Sequence, residues 1–364
     1  MTLKKRRLLF YFLILIFFVS GGAIIFYSTG WRLDLETRQI SRLGGLFIRV
    51  LTPDAAVKIG KKTVPYDAGL LNTGSFVDLF PKNYVVEVAK DGYQPWKKEI
   101  EVESSLVTKL PPIVLIPQNP EKELVLKNVK DFWLGPKYLA WKNYLGKLFI
   151  NDTPALGAAV LEWSANNNFA LTANNGTYFL INLRENNAAL NINLAWANLR
   201  SDAISKIKFD PENNSHLLIG SKNGLYSLDF NRLTIEKSLD KIASVFSQLY
   251  SKTSPDKQKI AALDSAEGQL TINFLKDSED FNRKAGDAII LNTGVTEGIL
   301  DFEWDKTSSY LFVQYPSGLY FVEIDNQAPN LRLISVAPDK FQYDINSNKL
   351  YLLSGGNLYT LKLN

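Results

Sequence analysis

Cysteine is absent from this chain and histidine occurs once. Without thiols there is no disulfide framework, no thiolate metal site and no cysteine nucleophile. A single imidazole also excludes the zinc and copper sites that draw on several histidines. That residue, His216, stands in the turn Asn213-Asn214-Ser215-His216. A solvated histidine is the expectation there, since a Ser-His-Asp relay would have to work from a surface loop. The glycines are scattered singly at turns, with neither G-x-G-x-x-G nor a P-loop, so nucleotide binding has no support. No D-x-D-x-D-G calcium loop occurs. The carboxylates Asp301, Glu303, Asp305, Glu323 and Asp325 fall at strand ends and polar turns, where solvated carboxylates are ordinary. These absences together predict no catalytic residue, no cofactor and no metal.

A surplus of charge is missing too. The formal net charge is +4, and the run Lys4-Lys5-Arg6-Arg7 accounts for all of it, so the remainder carries equal numbers of each sign. A nucleic-acid footprint needs a clustered basic excess, and none is present.

What the chain does have is one long apolar run. Residues 8–27 (LLFYFLILIFFVSGGAIIFY) contain no charged side chain. At about 1.5 Å per residue a helix of this length covers the roughly 30 Å hydrocarbon core, and it closes its own backbone hydrogen bonds within lipid. The basic flank at 1–7 faces the mixed-sign segment Trp31-Arg32-Leu33-Asp34-Leu35-Glu36, which predicts a cytoplasmic N-terminus and an exported remainder, with Trp31 in the interfacial belt. The alternative is a cleaved secretory signal, but such signals have an apolar stretch of about 7 to 15 residues and a small-residue exit. This run is longer and leaves through Ile25, Phe26 and Tyr27.

Residues 46–116 read as short strands of period two. Valine or isoleucine alternates with glutamate in Tyr84-Val85-Val86-Glu87-Val88 and Glu99-Ile100-Glu101-Val102-Glu103, which gives one apolar and one wet face. Turn formers at Thr52-Pro53-Asp54, Gly60-Lys61-Lys62, Asp91-Gly92 and Pro111-Pro112 punctuate them. The expectation is a compact antiparallel sandwich. Three stretches carry a family likeness: Val50-Leu51-Thr52-Pro53-Asp54-Ala55-Ala56-Val57-Lys58-Ile59-Gly60-Lys61, Pro81-Lys82-Asn83-Tyr84-Val85-Val86-Glu87-Val88 and Lys90-Asp91-Gly92-Tyr93. This part of the chain resembles the PEGA domain, a small surface module of bacterial and archaeal envelopes. Asp54-Ala55 replaces the Glu-Gly part of that family's signature. Residues 28–45 resemble the short hairpin joining a membrane anchor to such a domain. The likeness covers about a fifth of the chain, and it implies envelope association with a structural or adhesive role and no catalytic residue.

A link at 117–123 (PQNPEKE) precedes a repetitive region at 124–364. Six times an anchor residue is followed by a polar turn, a β-rich run and a glycine 13 to 15 residues on: Trp133 to Gly146, Trp163 to Gly176, Phe209 to Gly224, Thr253 to Gly268, Trp304 to Gly318 and Tyr343 to Gly356. Successive anchors lie 39 to 51 residues apart, apart from one step of 30, against about 40 to 45 residues for a propeller blade. The turns resemble the Trp-Ser-Pro-Asp-Gly turn of TolB-like and WD40-like propellers, with Ser254-Pro255-Asp256 the closest copy. The fold class expected is therefore all-β outside the cytoplasm, a small PEGA-like sandwich plus a six-bladed β-propeller, after one transmembrane α-helix. An open β-solenoid or two packed sandwiches is the competing architecture. Because the last hairpin lacks an outer strand, Glu123-Leu124-Val125-Leu126-Lys127 is expected to pair there and close the ring.

Of the seven tryptophans, Trp133, Trp141, Trp163 and Trp304 sit at strand positions that predict burial between sheets. Trp96, beside Gly92-Tyr93, is the one expected to be exposed. The functional expectation is a non-enzymatic surface binding or scaffolding protein. Its partners would be the lipid bilayer through residues 8–27, an envelope protein or glycan, and no nucleic acid. An envelope hydrolase or lyase using the propeller's channel is the alternative, and it would require convergent carboxylates or lysines there. A sensor would need a membrane partner, since seven residues precede the helix.

Overall fold

The computed structural model describes residues 3–34, 38–64, 75–211, 213–237, 250–264, 268–325 and 331–363. These divide into two compact units. The first holds the chain up to Gln118 together with Lys276–Asp287 and Asp325, and the second holds the rest from Asn119.

In the first unit the apolar run forms the helix Leu3–Ser28. Its 24 residues Lys5–Ser28 have a mean hydropathy of 2.6 and are long and apolar enough to cross a membrane. Hydroxyls that would otherwise be unsatisfied in such surroundings bond back to the helix itself, Ser20 Oγ to Phe17 O at 3.2 Å and Thr29 Oγ1 to Ile25 O at 2.9 Å. After it, Trp31–Asp34 pairs antiparallel with Gln39–Arg42. Trp31 stacks on Phe26 at 6.0 Å, and the Arg32 guanidinium lies 3.4 Å from the Tyr27 ring centre.

Two sheets follow. One is ordered Ser75–Leu79, Gly44–Ile48, Val107–Lys109, and the other Lys62–Val64, Ala56–Ile59, Lys82–Ala89, Trp96–Val102. Inward residues of both, among them Leu46, Ile48, Val57, Val86, Val88, Trp96 and Ile100, form one core. The structure differs from the sequence reading in two respects. Gly44–Ile48 and Val107–Lys109 run parallel, so the module is not wholly antiparallel. The chain turns after Val102 through Ser105, held in the left-handed region, and lays its next strand beside Gly44–Ile48. Gly44 is required there, because a Cβ would stand 2.1 Å from Glu103 O. Trp96, expected at the surface, is 1% exposed. It opens a strand whose alternate residues all point inward, and that phase outweighs its nearness to the Gly92 turn.

The second unit is built of six four-stranded antiparallel sheets among the described residues. In chain order they are Val129–Leu134 to Thr153–Ala155, Ala159–Trp163 to Ala188–Asn191, Ile204–Phe209 to Thr234–Lys237, Tyr250–Thr253 to Ala288–Ile290, and Asp301–Trp304 to Leu331–Val336. The sixth contains Lys340–Asp344, Lys349–Ser354, Asn357–Lys362 and, as its outer strand, Lys122–Lys127. First strands of neighbouring sheets adjoin: 159–163 with 204–209, 250–253 with 301–304, 301–304 with 340–344, and 340–344 with 129–134. Meandering sheets whose first strands meet in this way make a β-propeller.

The repeated anchors end or nearly end the first strand of every sheet. The next residue ties the following turn together. Ser164 Oγ accepts from Phe169 N at 2.9 Å, Ser254 Oγ from Lys259 N at 2.9 Å, and Asp305 Oδ1 from Tyr310 N at 3.1 Å. Five of the repeated glycines have positive φ in the second turn, at +66° to +131°. Gly318 is instead closely packed, since a Cβ there would stand 2.8 Å from Leu333 Cδ1 and 3.0 Å from Ser335 O.

Lys122–Lys127 supplies the outer strand of the sixth sheet. Deletion of residues 121–128 is expected to leave Asn357–Lys362 with a bare edge and to abolish the single cooperative thermal transition of the propeller. Calorimetry of the deleted and intact chains in detergent checks this, and an unchanged transition would count against closure.

Candidate functional site

Side chains able to do chemistry converge on the first strands. Tyr250 and Lys252 alternate on the first strand of the fourth sheet and Asp301 and Glu303 on that of the fifth, so the period of two puts each pair on one face of its strand, and the two pairs meet. Lys252 Nζ donates to Glu303 Oε1 at 2.8 Å, to Phe302 O at 2.7 Å and to Asp301 Oδ1 at 3.3 Å. Tyr250 OH donates to Asp301 Oδ1 at 2.5 Å, and Trp304 Nε1 donates to Lys252 O at 2.8 Å. Burial pulls the Lys252 pKa down, but Glu303 and Asp301 outweigh it and hold the ammonium above its usual range. Burial pushes the Tyr250 phenol up to about 12 against the pull of Lys252. It raises Glu303 as well, opposed by Lys252. Lys252 is thus fixed as a cation, the wrong state for a base or an amine nucleophile at neutral pH.

Comparable contacts join other sheets. Lys340 Nζ donates to Asp131 Oδ1 at 2.8 Å, and Leu134 N to Gln342 Oε1 at 2.7 Å. Glu162 Oε2 accepts from Phe209 N at 2.6 Å, and burial raises its pKa, with Lys208 opposing. Sequence reading missed Lys252, Asp131, Lys340 and Glu162 as partners. Their spacing of 47 to 209 residues leaves no local signal.

The carboxylates singled out by sequence do not converge as a set. Asp301 and Glu303 belong to the Lys252 cluster. Asp305 is a turn clasp, 4% exposed, accepting from Thr307 N, Thr307 Oγ1 and Tyr310 N. Glu323 is buried at the end of the third strand of the fifth sheet. Asp325, counted with the first unit, takes the buried ammonium of Lys98.

His216 opens the second strand of the third sheet opposite Asp229, with Ser215 Oγ 3.0 Å from its Nδ1. This does not make a relay. Ser215 Oγ donates to Asn213 Oδ1 at 2.8 Å, and Asp229 Oδ1 accepts from Asn231 N and Arg232 N at 2.9 and 3.1 Å. Each is held by its own turn. No group of three or more His, Asp or Glu suited to a metal occurs among the described residues. Trp304 is buried, whereas Trp133, Trp141 and Trp163 are half-buried. Trp141 stacks on Phe149 at 4.3 Å and Trp163 on Tyr138 at 5.9 Å.

No family model matches the chain, and no curated protein does. Several solved structures are similar in outline. The β-propeller domain of Cps50 (Swd1) from Myceliophteria thermophila aligns at 9% identity over 67% of this chain and 100% of its own, with a TM-score of 0.34. A luciferin-regenerating enzyme aligns at 12% identity over 67% and 95%, with a TM-score of 0.39. A protein of unknown function from Bacteroides thetaiotaomicron aligns at 9% over 85% and 90%, with a TM-score of 0.35. The propeller assignment rests on the strand order described above.

Substitutions in the Lys252 cluster and at Asp305 probe these contacts. Lys252→Met leaves two carboxylates facing each other and is expected to cost about 1 to 3 kcal/mol, less than the roughly 3 to 5 of a fully buried pair because the side chains are 24% to 26% exposed. Replacing Asp301 by Asn and Glu303 by Gln in the same chain should restore most of that loss, as read from thermal unfolding. Burial raises Asp305 to about 6 from an ordinary 3.8. The folded state therefore holds this proton more tightly, and stability falls as pH rises from about 4 to about 6. Asp305→Asn should remove a fall on the order of 3 kcal/mol, measured as the difference between the two chains' unfolding profiles against pH.

Proposed function

We propose that the chain is a membrane-anchored cell-envelope protein that binds or scaffolds and does not catalyse. The helix at 5–28 is the anchor, with its basic end in the cytoplasm. The module at 46–116 is a PEGA-like sandwich, and the six sheets are the blades of one closed propeller. The observation that carries the non-catalytic reading is the occupation of its polar groups. Lys252, Asp301, Glu303, Asp131, Lys340 and Glu162 each bond across a junction between sheets. Asp305 and Asp229 each close a turn. A rigid β scaffold with six sets of loops suits recognition of a protein or glycan.

A second reading, an envelope hydrolase or lyase, draws on the same strands, because carboxylates and lysines line them where an inert channel would carry Leu, Val and Ser. The two readings differ in what rescue does. The triple variant at Lys252, Asp301 and Glu303 should keep every binding property of the parent if the cluster is structural, whereas loss of a hydrolytic activity on envelope glycans with normal stability would favour the enzyme.

The anchor is tested on whole cells. The chain should resist alkaline carbonate extraction, and protease added outside the cytoplasmic membrane should remove everything beyond the helix. Recovery in the soluble fraction, or full protection from that protease, would overturn the assignment. Pull-downs from native envelopes against peptidoglycan, surface glycans and proteins separately then identify the ligand class.

A further inference from the structure

One end of the propeller carries an apolar tip set among lysines. The turn after Leu139–Asn143 is closed by its own backbone, with Gly146 N donating to Asn143 O at 3.0 Å and Lys147 N to Asn143 Oδ1 at 2.9 Å. It projects Tyr144 and Leu145 outward, 62% and 93% exposed. Tyr144 rests against the backbone of Gly356 in the neighbouring turn, where even a Cβ would stand 2.7 Å from its hydroxyl. On the other side a groove of about 500 Å³ between the first two sheets is lined by Lys147, Pro154, Leu156, Asn174 and Ala189. Leu156 is 55% exposed. Lys127, Lys130 and Lys147 are exposed around this tip. The nearby carboxylates are engaged, Asp131 with Lys340 and Asp339 Oδ2 with Gly355 N at 3.0 Å.

We propose that this tip docks on an anionic lipid leaflet. Leucine and tyrosine side chains enter the headgroup boundary, where tyrosine is favoured, and the lysines meet lipid phosphates while their stems cover apolar surface. Charge decides against a second copy of the chain, since the same basic patch would face itself. A purely polar polyanion would leave Leu145 in water. The inference rests on the reading of residues 5–28 as a bilayer span, because that span keeps a leaflet within reach.

The absence of cysteine makes the test clean. Leu145→Cys carries a single polarity-sensitive fluorophore in the full chain reconstituted into vesicles of phosphatidylcholine with phosphatidylglycerol. Ile345→Cys, in the turn at the opposite end of the sixth sheet, is the reference. The label at 145 should shift to the blue, brighten severalfold and be quenched by brominated lipid, while the label at 345 stays water-like. The shift should be lost in phosphatidylcholine alone, and equally in Lys127→Glu/Lys130→Glu/Lys147→Glu with its melting unchanged. Equal, water-like emission from both labels overturns the proposal, as does a shift indifferent to lipid charge. Carbonate extraction of the same vesicles reports on the helix separately. If the chain is stripped off, the anchor fails, and emission from labelled chain mixed with preformed vesicles still decides the tip.

Discussion

The demand of every backbone N–H and C=O for a partner governs this chain beyond its helix. A sheet ends in two edges, and each edge left open is a row of unsatisfied groups that invites another strand. The propeller brings its first strand, Lys122–Lys127, to the outside of the last sheet, against Asn357–Lys362. A register shift between Leu124 and Leu126 bends this strand, as bulges do at edges. The segment at 122–127 thus completes the last sheet of the unit.

The same demand explains where the polar side chains go. At the end of each first strand the chain must reverse within a few residues, leaving several N–H groups without a sheet partner. Ser164, Ser254, Asp305 and Asp344 supply oxygens to those groups, which is the ordinary work of short polar side chains at turns. Asp256 shows how far this goes. It lies in the turn Ser254-Pro255-Asp256, and it accepts from Ser254 Oγ, Gln258 N and Lys259 Nζ. Of the carboxylates singled out along the sequence, Asp305 is in three dimensions such a fastener of a repeated turn.

Much of this was legible beforehand because it is local. The apolar run of 20 residues, the valine–glutamate alternation and the glycine that permits a left-handed turn all act within a few residues of themselves, while the pairing of 123–127 was legible from the outer strand that the last hairpin lacks. The features that escaped are those set at a distance. Whether Val107–Lys109 runs parallel or antiparallel to Gly44–Ile48 depends on the route of the chain between them, which periodicity does not record. Trp96 looked exposed because Gly92-Tyr93 stands beside it, yet its strand's phase, fixed by Ile100 and Val102, turns it inward. Lys252 carried no signal at all, since its partners lie about fifty residues on and nothing in the intervening sequence marks the pairing.

Long-range charges at the propeller's centre follow a pattern of their own. The junctions of the sixth sheet with the first, the second with the third and the fourth with the fifth are joined by side chains that reach main-chain atoms as well as countercharges: Gln342 to Leu134 N, Glu162 to Phe209 N, Lys252 to Phe302 O. Aromatic contacts also join sheets, Trp163 on Tyr138 and over Gly135 between the first and second, and Phe312 on Tyr343 at 4.7 Å between the fifth and sixth. An ion pair in a half-buried site adds little net stability, because desolvation offsets most of its attraction. A bond to a neighbour's backbone, however, fixes register, and register is what a sheet of short strands specifies poorly by hydrophobicity alone. First strands of four to six residues present too few apolar side chains to set their own height against the next sheet. Polar stitching at these junctions supplies that alignment, which leucine and valine at the same positions would not.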